Sequence, residues 1–348
     1  MHIVHINFSI TMGGIDTMLV DILNEQVNQV KTSLIIINNK VDVDVLKKLD
    51  PRVIVYRIER KPGSFNIISI IKFNLLILKI KPSILHFHNS NAINLLYIKN
   101  PCFLTVHDIG YDDRDYRKYD KIFAISKSVE NDIRSKGDYP TKIVYNGINS
   151  NNLIKRKDFN NPEVFKLVAI SRLEHKKKGL DLLLEAIKKV VSLNNSPIHL
   201  DIIGEGNSME FLKQKVHTLQ LESHVSFLNK QPRDYIYKNL HNYDLLVQPS
   251  RYEGFGLTVA EAIAAKVPVL VSANDGPMEI IEGGKYGYSF ERENIEDLTN
   301  KIVMIKDLYS NHSERLVEIT ELAYTHIITN FEVSKTATNY LSEYKKFV

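Results

Sequence analysis

The chain has 348 residues, of which 25% are charged and 44% hydrophobic, with a formal net charge of +4 and one cysteine, Cys102. These values are typical of a folded globular protein and exclude a disordered tail, a fibrous repeat and a disulfide scaffold. The length predicts two domains, and the single cysteine favours a reducing, cytoplasmic compartment.

In the first half of the chain, short β-rich runs alternate with helical stretches. The expected strands are Ile3–Phe8, Leu34–Ile37, Ile84–His88, Phe103–Val106 and Lys121–Ile125. The expected helices include Thr17–Val30 and Asn66–Ile80. Because the first residues already form a strand, we expect no signal peptide. We also expect no membrane span, since lysines interrupt the longest apolar run, residues 67–80.

The helix predicted over residues 66–80 is apolar nearly all round, with a narrow polar stripe of Ser69, Lys72 and Lys79. Basic residues outnumber acidic ones in this region: Lys47, Lys48, Arg52, Arg57, Arg60, Lys61, Lys72, Lys79 and Lys81 against Asp50 and Glu59. One interpretation is a helix buried against the sheet, within a solvated basic face. The other is a surface that contacts an anionic membrane.

The second half repeats the alternation. Its expected strands are Phe165–Ser171, His199–Ile203, Val225–Leu228, Leu245–Gln248 and Val267–Val271, and its expected helices include Gly179–Leu193, Ser208–Leu219 and Leu257–Ala265. The pattern predicts an α/β protein of two Rossmann-like doubly wound domains facing across a cleft. We assign residues 1–148 to the first domain, 149–162 to a polar linker, 163–330 to the second domain and 331–348 to a C-terminal helix.

Two glycine pairs follow predicted strands. Gly13 and Gly14 precede a helix, where a backbone can approach an anion closely, although a structural turn explains them equally well. Gly204 and Gly206 resemble part of a dinucleotide fingerprint, but Met209 stands where a third glycine is needed and Asn229-Lys230 where a ribose-binding acid is expected. The second pair therefore favours a tight turn near a nucleotide over an NAD site.

Two further loops carry charged residues. The segment from Ser171 to Gly179 contains Arg172 and three consecutive lysines, which suit phosphate oxygens, although a solvated basic turn is the alternative. The segment from Pro249 to Glu261 passes through a glycine-bracketed turn into a helix. There Glu253 and Glu261 flank the amides of Phe255, Gly256 and Leu257, which suits hydroxyl binding beside a phosphate.

Several motifs in order along the chain resemble glycosyltransferase family 4. These are Gly13-Gly14, Thr105-Val106-His107-Asp108, Val144-Tyr145-Asn146-Gly147-Ile148, Ser171-Arg172-Leu173 with Lys178-Gly179, and Glu253-x7-Glu261. The resemblance implies a GT-B fold and a retaining transferase of hexosyltransferase type that takes a nucleotide sugar, assigned as UDP-linked from the family's commonest donor. Glu253-x7-Glu261 is the most specific of these motifs.

The resemblance also implies residue roles. Arg172 and Lys178 would neutralise the leaving diphosphate, with Lys177 able to replace Lys178 because this segment is one residue longer than is usual. Glu253 and His107 would contact the donor sugar, and Glu261 the ribose hydroxyls. The remaining donor-binding positions would be Gly13, Gly14, Gly204, Gln231, Phe255, Gly256 and Leu257.

We expect no cofactor and no metal. Asp42-Val43-Asp44 has the spacing of a metal-binding Asp-x-Asp, but it precedes a helix in a polar stretch. His86 and His88 share one face of a strand, and two nitrogens are too few for zinc.

The predicted function is sugar transfer to a glycan or lipid-linked acceptor in bacterial surface polysaccharide synthesis, in the cytoplasm or at the inner face of the membrane. A nucleotide-sugar epimerase of the same fold and a catalytically silent nucleotide-sugar-binding subunit are the alternatives. Nucleic acid is not an expected partner, since no nucleic-acid-binding motif accompanies the basic region.

Overall fold

A computed structural model describes residues 1–193 and 197–348. The chain divides into two compact units, Met1–Asn149 with Phe331–Val348, and Ser150–Asn330. None of the helices in the described residues is long and apolar enough to span a bilayer.

The first unit is built on a parallel seven-stranded sheet of order β3-β2-β1-β4-β5-β6-β7. Its strands are β1 (His2–Asn7), β2 (Lys31–Asn38), β3 (Ile54–Arg60), β4 (Ile84–Phe87), β5 (Cys102–Val106), β6 (Lys121–Ala124) and β7 (Thr141–Ile143). Its helices before the second unit are α1 (Gly14–Gln26), α2 (Val43–Leu46), α3 (Ile67–Ile80) and α4 (Lys127–Lys136). Strands β1, β2, β4 and β5 are buried along nearly their whole length, as expected of a sheet covered on both faces.

The second unit contains a parallel six-stranded sheet of order β10-β9-β8-β11-β12-β13. Its strands are β8 (Phe165–Ile170), β9 (Ile198–Ile203), β10 (Val225–Phe227), β11 (Leu245–Gln248), β12 (Val269–Ser272) and β13 (Tyr288–Phe290). Its helices are α5 (His175–Lys178), α6 (Leu180–Leu193), α7 (Met209–Thr218), α8 (Arg233–Asn239), α9 (Leu257–Ala264), α10 (Asp275–Ile280), α11 (Ile295–Asn311) and α12 (Ser313–Asn330). In both units the strand order reverses beside the first strand, which confirms the doubly wound prediction.

The C-terminal segment returns to the first unit. Helix α13 (Val333–Tyr344) packs against α1. The backbone of Ile148 is hydrogen-bonded to Phe331 and Val333, at 2.8 and 2.9 Å. Tyr340 and Tyr344 are fully buried in that unit.

The segment that we assigned as a linker, residues 149–162, packs on the second unit from Ser150 onward. Arg156 Nη2 lies 2.7 Å from Asp244 Oδ1, and both side chains are largely buried. Phe159 belongs to the hydrophobic core of that unit. The polar composition of this stretch therefore marks a boundary between units and not a free connector.

Most element boundaries differ little from the predicted ones. The largest shift is at α1, which begins three residues earlier than the predicted Thr17 and ends at Gln26, because Gly13 adopts an extended conformation and the helix starts directly after it. The predicted helix over residues 179–193 begins at Leu180 and is preceded by the single turn α5. Strands β3, β7 and β13 were missed. All three lie toward the sheet edges, where burial is partial and the apolar pattern is weaker.

Candidate active site

In the first unit, the glycine pair begins α1. Gly13 is the N-cap residue, with φ of −102°, and no side chain caps the helix. Asp16 in the first turn accepts hydrogen bonds from the backbone N–H and hydroxyl of Thr11, each at 2.7 Å. A Cβ atom at Gly13 would make only an ordinary contact with Thr11. Packing in the chain itself therefore does not require glycine at position 13.

His107 follows β5 directly and is buried. Burial lowers the pKa of this imidazole to about 4. At neutral pH His107 is therefore uncharged and can contribute a hydrogen bond but not a positive charge.

The two histidines predicted to share a strand face have a third neighbour, His5. Strands β1 and β4 pair in register at His5 and His86, and the nitrogens of His5, His86 and His88 lie within 4.8 Å of one another. The structure therefore adds a third histidine to the two that the sequence had placed together. The alternating pattern His5, His86, His88 on two buried runs was the available signal, but it required knowing that β1 and β4 are neighbours.

The Asp-x-Asp pair of the first unit caps a helix. Asp42 accepts from the backbone N–H groups of Asp44 and Val45 at the start of α2, and Asp44 pairs with Lys47 at 2.8 Å. Both carboxylates have local partners of the kind that favour a helix start.

In the second unit, the loop after β8 carries the basic segment. The Arg172 side chain is 70% exposed and its Nη1 lies 3.0 Å from Glu174 Oε1. The single turn α5 ends at Gly179, whose φ is +62°. A Cβ atom there would lie 2.0 Å from the carbonyl oxygen of Pro249. Glycine is therefore required for this loop to pack against the loop after β11.

Lys178 points at Glu253. Its Nζ lies 2.6 Å from Glu253 Oε2, and the two side chains are 15% and 16% exposed. Gln248 Nε2 donates to the same oxygen at 2.6 Å. The backbone carbonyl of Lys177 instead accepts from the N–H of Arg251 at 2.8 Å. Lys178, one of the two lysines left open by the sequence, thus brings its ammonium to the predicted sugar-binding carboxylate.

The turn after Glu253 starts α9. Phe255 is buried, and Gly256 has φ of +100°, a conformation that a residue with a side chain rarely adopts. The N–H of Gly276 donates to the carbonyl oxygen of Glu253 at 3.1 Å. These contacts fix the turn that leads to Leu257, the first residue of the helix.

Glu261, one turn inside α9, is also bound. Its Oε1 accepts from the Tyr237 hydroxyl at 3.2 Å and lies 3.9 Å from Arg233 Nε. Neither Arg233 nor Tyr237 was predicted as a site residue. Their spacing of four residues places both on one face of α8, but nothing in that spacing indicates Glu261 as their neighbour.

The second glycine turn packs on the basic loop. A Cβ atom at Gly204 would lie 1.9 Å from the carbonyl oxygen of Ser171, and the N–H of Leu173 donates to the carbonyl oxygen of Glu205 at 2.9 Å. Gln231, further along this region, donates from Nε2 to the carbonyl oxygen of Leu228 at 2.5 Å.

The loops after β9, β8 and β11 therefore meet at one sheet edge, since these three strands are parallel neighbours. The carboxyl ends of strands in open α/β sheets are where such folds bind ligands. Here the edge presents an exposed guanidinium, a half-buried ammonium and two carboxylates, which suits a ligand that combines phosphate with hydroxyl groups.

Two family models match the chain. The one described as glycosyl transferases group 1 matches residues 150–322, and the one described as Glycosyltransferase Family 4 matches residues 12–152. The two parallel, doubly wound sheets are those of a GT-B fold. The chain belongs to glycosyltransferase family 4, group 1.

Among curated relatives, an uncharacterized glycosyltransferase of Methanocaldococcus jannaschii is 30% identical over 227 residues, which cover 64% of this chain and 58% of that protein. The O-antigen biosynthesis glycosyltransferase WclY of Escherichia coli is 27% identical over 234 residues, covering 65% and 61%. The chain thus spans about three fifths of the length of these two relatives.

Among solved structures, the Anabaena protein HepE in complex with UDP and glucose superposes with a TM-score of 0.82 at 19% identity, covering 99% of both chains. At this identity the similarity establishes the shared GT-B fold.

Proposed function

We propose that the chain is a retaining, metal-independent glycosyltransferase that moves a sugar from a UDP-linked donor to a glycan or lipid-linked acceptor. The observation that carries this proposal is the strand-end cluster of the second unit, where the ammonium of Lys178 lies 2.6 Å from Glu253. A cation beside a sugar-binding carboxylate can neutralise the charge that develops on a departing diphosphate. That is the task a metal ion performs in other transferases, and here Arg172 and Lys178 would perform it.

The donor assignment rests on the family and on its solved members. HepE is solved with UDP and glucose. Glu261, held by Tyr237 and close to Arg233, is the carboxylate that we assign to the ribose hydroxyls. We propose polysaccharide synthesis because the relative WclY is named an O-antigen biosynthesis glycosyltransferase.

Retention requires either a covalent sugar intermediate or attack on the face from which the phosphate leaves. We favour same-face attack. The bond between the sugar carbon and the phosphate oxygen breaks, the acceptor oxygen bonds to that carbon, and the acceptor proton passes to the leaving phosphate. Isolation of a sugar–protein adduct from the intact enzyme would contradict this mechanism.

The donor is tested by a thermal-shift screen of UDP, GDP, ADP and their common sugars in the presence of EDTA. A ligand at a hundred times its Kd stabilises the folded protein by about 2.7 kcal/mol. We expect stabilisation by UDP and UDP-sugars despite the EDTA. Stabilisation by GDP or ADP in place of UDP would change the nucleotide that we assign to the donor. Stabilisation only after a divalent metal is restored would contradict metal independence.

Turnover separates the transferase from its alternatives. A transferase releases UDP when an acceptor is present, whereas an epimerase interconverts donor sugars without acceptor and a silent subunit does neither. Arg172, Lys178, Glu253 and Glu261 are all present, and a silent subunit has no need of a cation for a leaving group.

The acceptor side of the proposal rests on α3. This helix buries Ser69, Phe73 and Ile77 but leaves Ile68 and Leu75 exposed at 72% and 60%. The helix therefore packs on the sheet with one face, as the first interpretation has it, and leaves apolar residues exposed on the other. Further exposed apolar residues on or beside the same helix are Phe65, Ile67, Ile71 and Leu78. With the lysines that flank it, this face suits an anionic membrane surface that carries a lipid-linked acceptor.

Vesicle sedimentation tests this contact. We expect binding to phosphatidylglycerol vesicles at low salt, weaker binding at high salt, and weaker binding still for the double variant Ile68→Ser with Leu75→Ser. The control is Leu322→Ser, which replaces a leucine of the second unit that is 54% exposed. Equal sedimentation of the double variant and the control would contradict the proposed contact between α3 and an anionic membrane.

A further inference from the structure

Four histidines are buried together in the first unit, on neighbouring parallel strands. His5 is on β1, His86 is on β4 and His88 follows it, and His107 follows β5. None of the four is more than 6% exposed. Burying an imidazole costs folding free energy unless its nitrogens are hydrogen-bonded. The partners of these nitrogens therefore indicate which nitrogen of each ring is protonated.

Three of the histidines and one amide form a continuous hydrogen-bonded row, which we call the histidine chain: Gln26, His5, His88 and His107. Gln26 Oε1 lies 2.8 Å from His5 Nε2, and His5 Nδ1 lies 3.0 Å from His88 Nε2. His88 Nδ1 lies 3.0 Å from His107 Nε2. Adjacent imidazole planes are tilted by only 15° and 26°, so that N–H groups and lone pairs face one another along the row.

The amide oxygen at one end sets the direction of every bond. An amide oxygen only accepts, so His5 Nε2 carries the proton and donates it. A neutral imidazole has one N–H, which leaves His5 Nδ1 bare to accept from His88 Nε2. The same step repeats between His88 Nδ1 and His107 Nε2. His107 Nδ1 is then a bare nitrogen, and in this structure it is buried without a hydrogen-bond partner.

We propose that Gln26, His5 and His88 are positioning residues, which hold His107 in the Nε2–H form and so keep its Nδ1 as a ready acceptor for a substrate hydroxyl. The part of this proposal that names a sugar hydroxyl rests on the proposed function. The proton arrangement does not rest on it: it follows from the placement of the Gln26 amide, with Oε1 toward His5 and Nε2 buried without a hydrogen-bond partner. His107 would thereby accept the proton of a substrate hydroxyl, whereas an imidazolium could only donate to the hydroxyl oxygen.

His86 is adjacent to the histidine chain but separate from it. Its Nε2 lies 2.7 Å from Thr105 Oγ1 and its Nδ1 lies 2.5 Å from the Tyr344 hydroxyl. The two nitrogens of His86 and those of His5 and His88 thus all have hydrogen-bond partners. A zinc site would instead direct one bare nitrogen from each ring at the ion, at about 2.0–2.1 Å. Bound metal is therefore the rival outcome that the experiment must detect.

The direct test is long-range ¹H–¹⁵N correlation of histidine-labelled full-length protein at neutral pH, which distinguishes Nε2–H, Nδ1–H and doubly protonated rings. We expect His5, His88 and His107 to be neutral and protonated at Nε2. An Nδ1–H or charged His107 would overturn the proposal. Metal bound at one equivalent after purification, and lost in His5→Gln, would overturn it too.

Two variants at Gln26 separate positioning from packing. Gln26→Glu keeps an oxygen for His5, whereas Gln26→Met keeps the volume but removes the acceptor. We expect Gln26→Glu to retain the Nε2–H form of His107 and Gln26→Met to give a mixture of forms. If Gln26 serves only packing, Gln26→Met should disturb the Nε2–H form of His107 less than Gln26→Glu does. That order of effects would contradict the proposal.

UDP-glucose and UDP serve as binding probes. Loss of one well-placed hydrogen bond weakens binding about tenfold. We therefore expect Gln26→Met to weaken UDP-glucose about tenfold and to leave UDP unchanged, with a rise in KM larger than the fall in kcat. Equal weakening of both probes contradicts a role through the sugar. Failure of the wild-type protein to bind either probe contradicts the proposed donor, while the ¹⁵N spectrum still decides on the histidine chain.

Discussion

The two units share one sheet order, but they differ in the charge of the polar side chains on and beside their strands. In the first unit, buried neutral imidazoles on β1 and directly after β4 and β5 are hydrogen-bonded to one another. In the second, Lys178 and Glu253 form an ion pair above β8 and β11, and Arg251 forms another with Asp181 at 2.8 Å. The same architecture therefore holds a buried cluster of uncharged imidazoles in one unit and a cluster of paired charges in the other.

The two clusters favour different chemical groups on a ligand. A neutral imidazole discriminates hydroxyl groups by hydrogen-bond direction, and half-buried cations stabilise phosphate charge. The contrast teaches that function in this fold is set by the residues at the strand ends and not by the sheet itself. The experiments below test whether the two surfaces behave as differently as their residues indicate.

The largest expected effect is the loss of stability of the first unit in acid. Burial lowers the pKa of His5 and His107 to about 4, and it lowers the pKa of His86 and His88 well below 6.5. Below pH 6.5 the unfolded chain therefore binds protons that the folded chain does not. Each histidine then reduces the free energy of unfolding by about 1.4 kcal/mol per pH unit, until the pH reaches its folded pKa.

The second unit should lose less stability over the same pH range, because burial lowers the pKa of two of its histidines, His241 and His326, against the four described above. Burial alone would raise the pKa of Asp181, but its hydrogen bonds with Arg251 hold it below 3.8, so its contribution to stability is lost only as the pH falls through that lowered value. Hydrogen exchange between pH 6.5 and 4.5 should show β1 and β4 losing protection before β8 and β11. Simultaneous loss in both units would contradict the comparison. His312→Gln, at an exposed histidine, serves as the control.

The next largest effect is on catalysis. Lys178→Met removes the ammonium that we assign to the leaving phosphate, and a charge contact of this kind contributes about 10²–10³-fold in rate. We expect kcat/KM to fall by that factor, measured as UDP release with acceptor present. The matched control is Lys176→Met, which removes an exposed lysine from the same turn. A larger loss for Lys177→Met would transfer the assignment to that residue.

A smaller effect concerns the backbone that brings the charged loops together. Gly179 and Gly110 both have a positive φ, of +62° and +78°, which disfavours any residue with a side chain. A Cβ atom at Gly179 would also clash with the Pro249 carbonyl oxygen, whereas a Cβ atom at Gly110 would have no neighbour within 4 Å. We expect Gly110→Ala to cost about 1–2 kcal/mol of unfolding free energy and Gly179→Ala to cost more. Urea titration measures both. Equal costs would show that the loop relaxes around the added methyl group.

The smallest effect on stability is expected at Arg172. Its guanidinium is largely exposed, and its pair with Glu174 is a surface ion pair. Arg172→Ala should change the free energy of unfolding by no more than about 0.5 kcal/mol while raising KM for the donor. A variant that is destabilised by more than this, with unchanged KM, would assign Arg172 to structure and not to phosphate binding.

Much of this molecule could be predicted from its sequence, because continuous apolar runs such as residues 245–248 identify buried parallel strands and Glu253-x7-Glu261 is a local motif. Three features could not. The pairing of Lys178 with Glu253 spans 75 residues and depends on which strands are neighbours. The histidine chain needs the same knowledge. Strand β3 lies at a sheet edge, where the hydrophobic pattern carries little information.

Diphosphate binding by the charged edge of the second unit is the property on which the proposed activity depends most directly. Calorimetric titration of UDP into the wild-type protein and Lys178→Met, both in EDTA, measures this. We predict metal-independent binding that Lys178→Met weakens at least about tenfold, as expected for loss of a charge-assisted hydrogen bond. Equal UDP affinity in the two proteins, or no binding by the wild type without a divalent metal, would contradict the central claim.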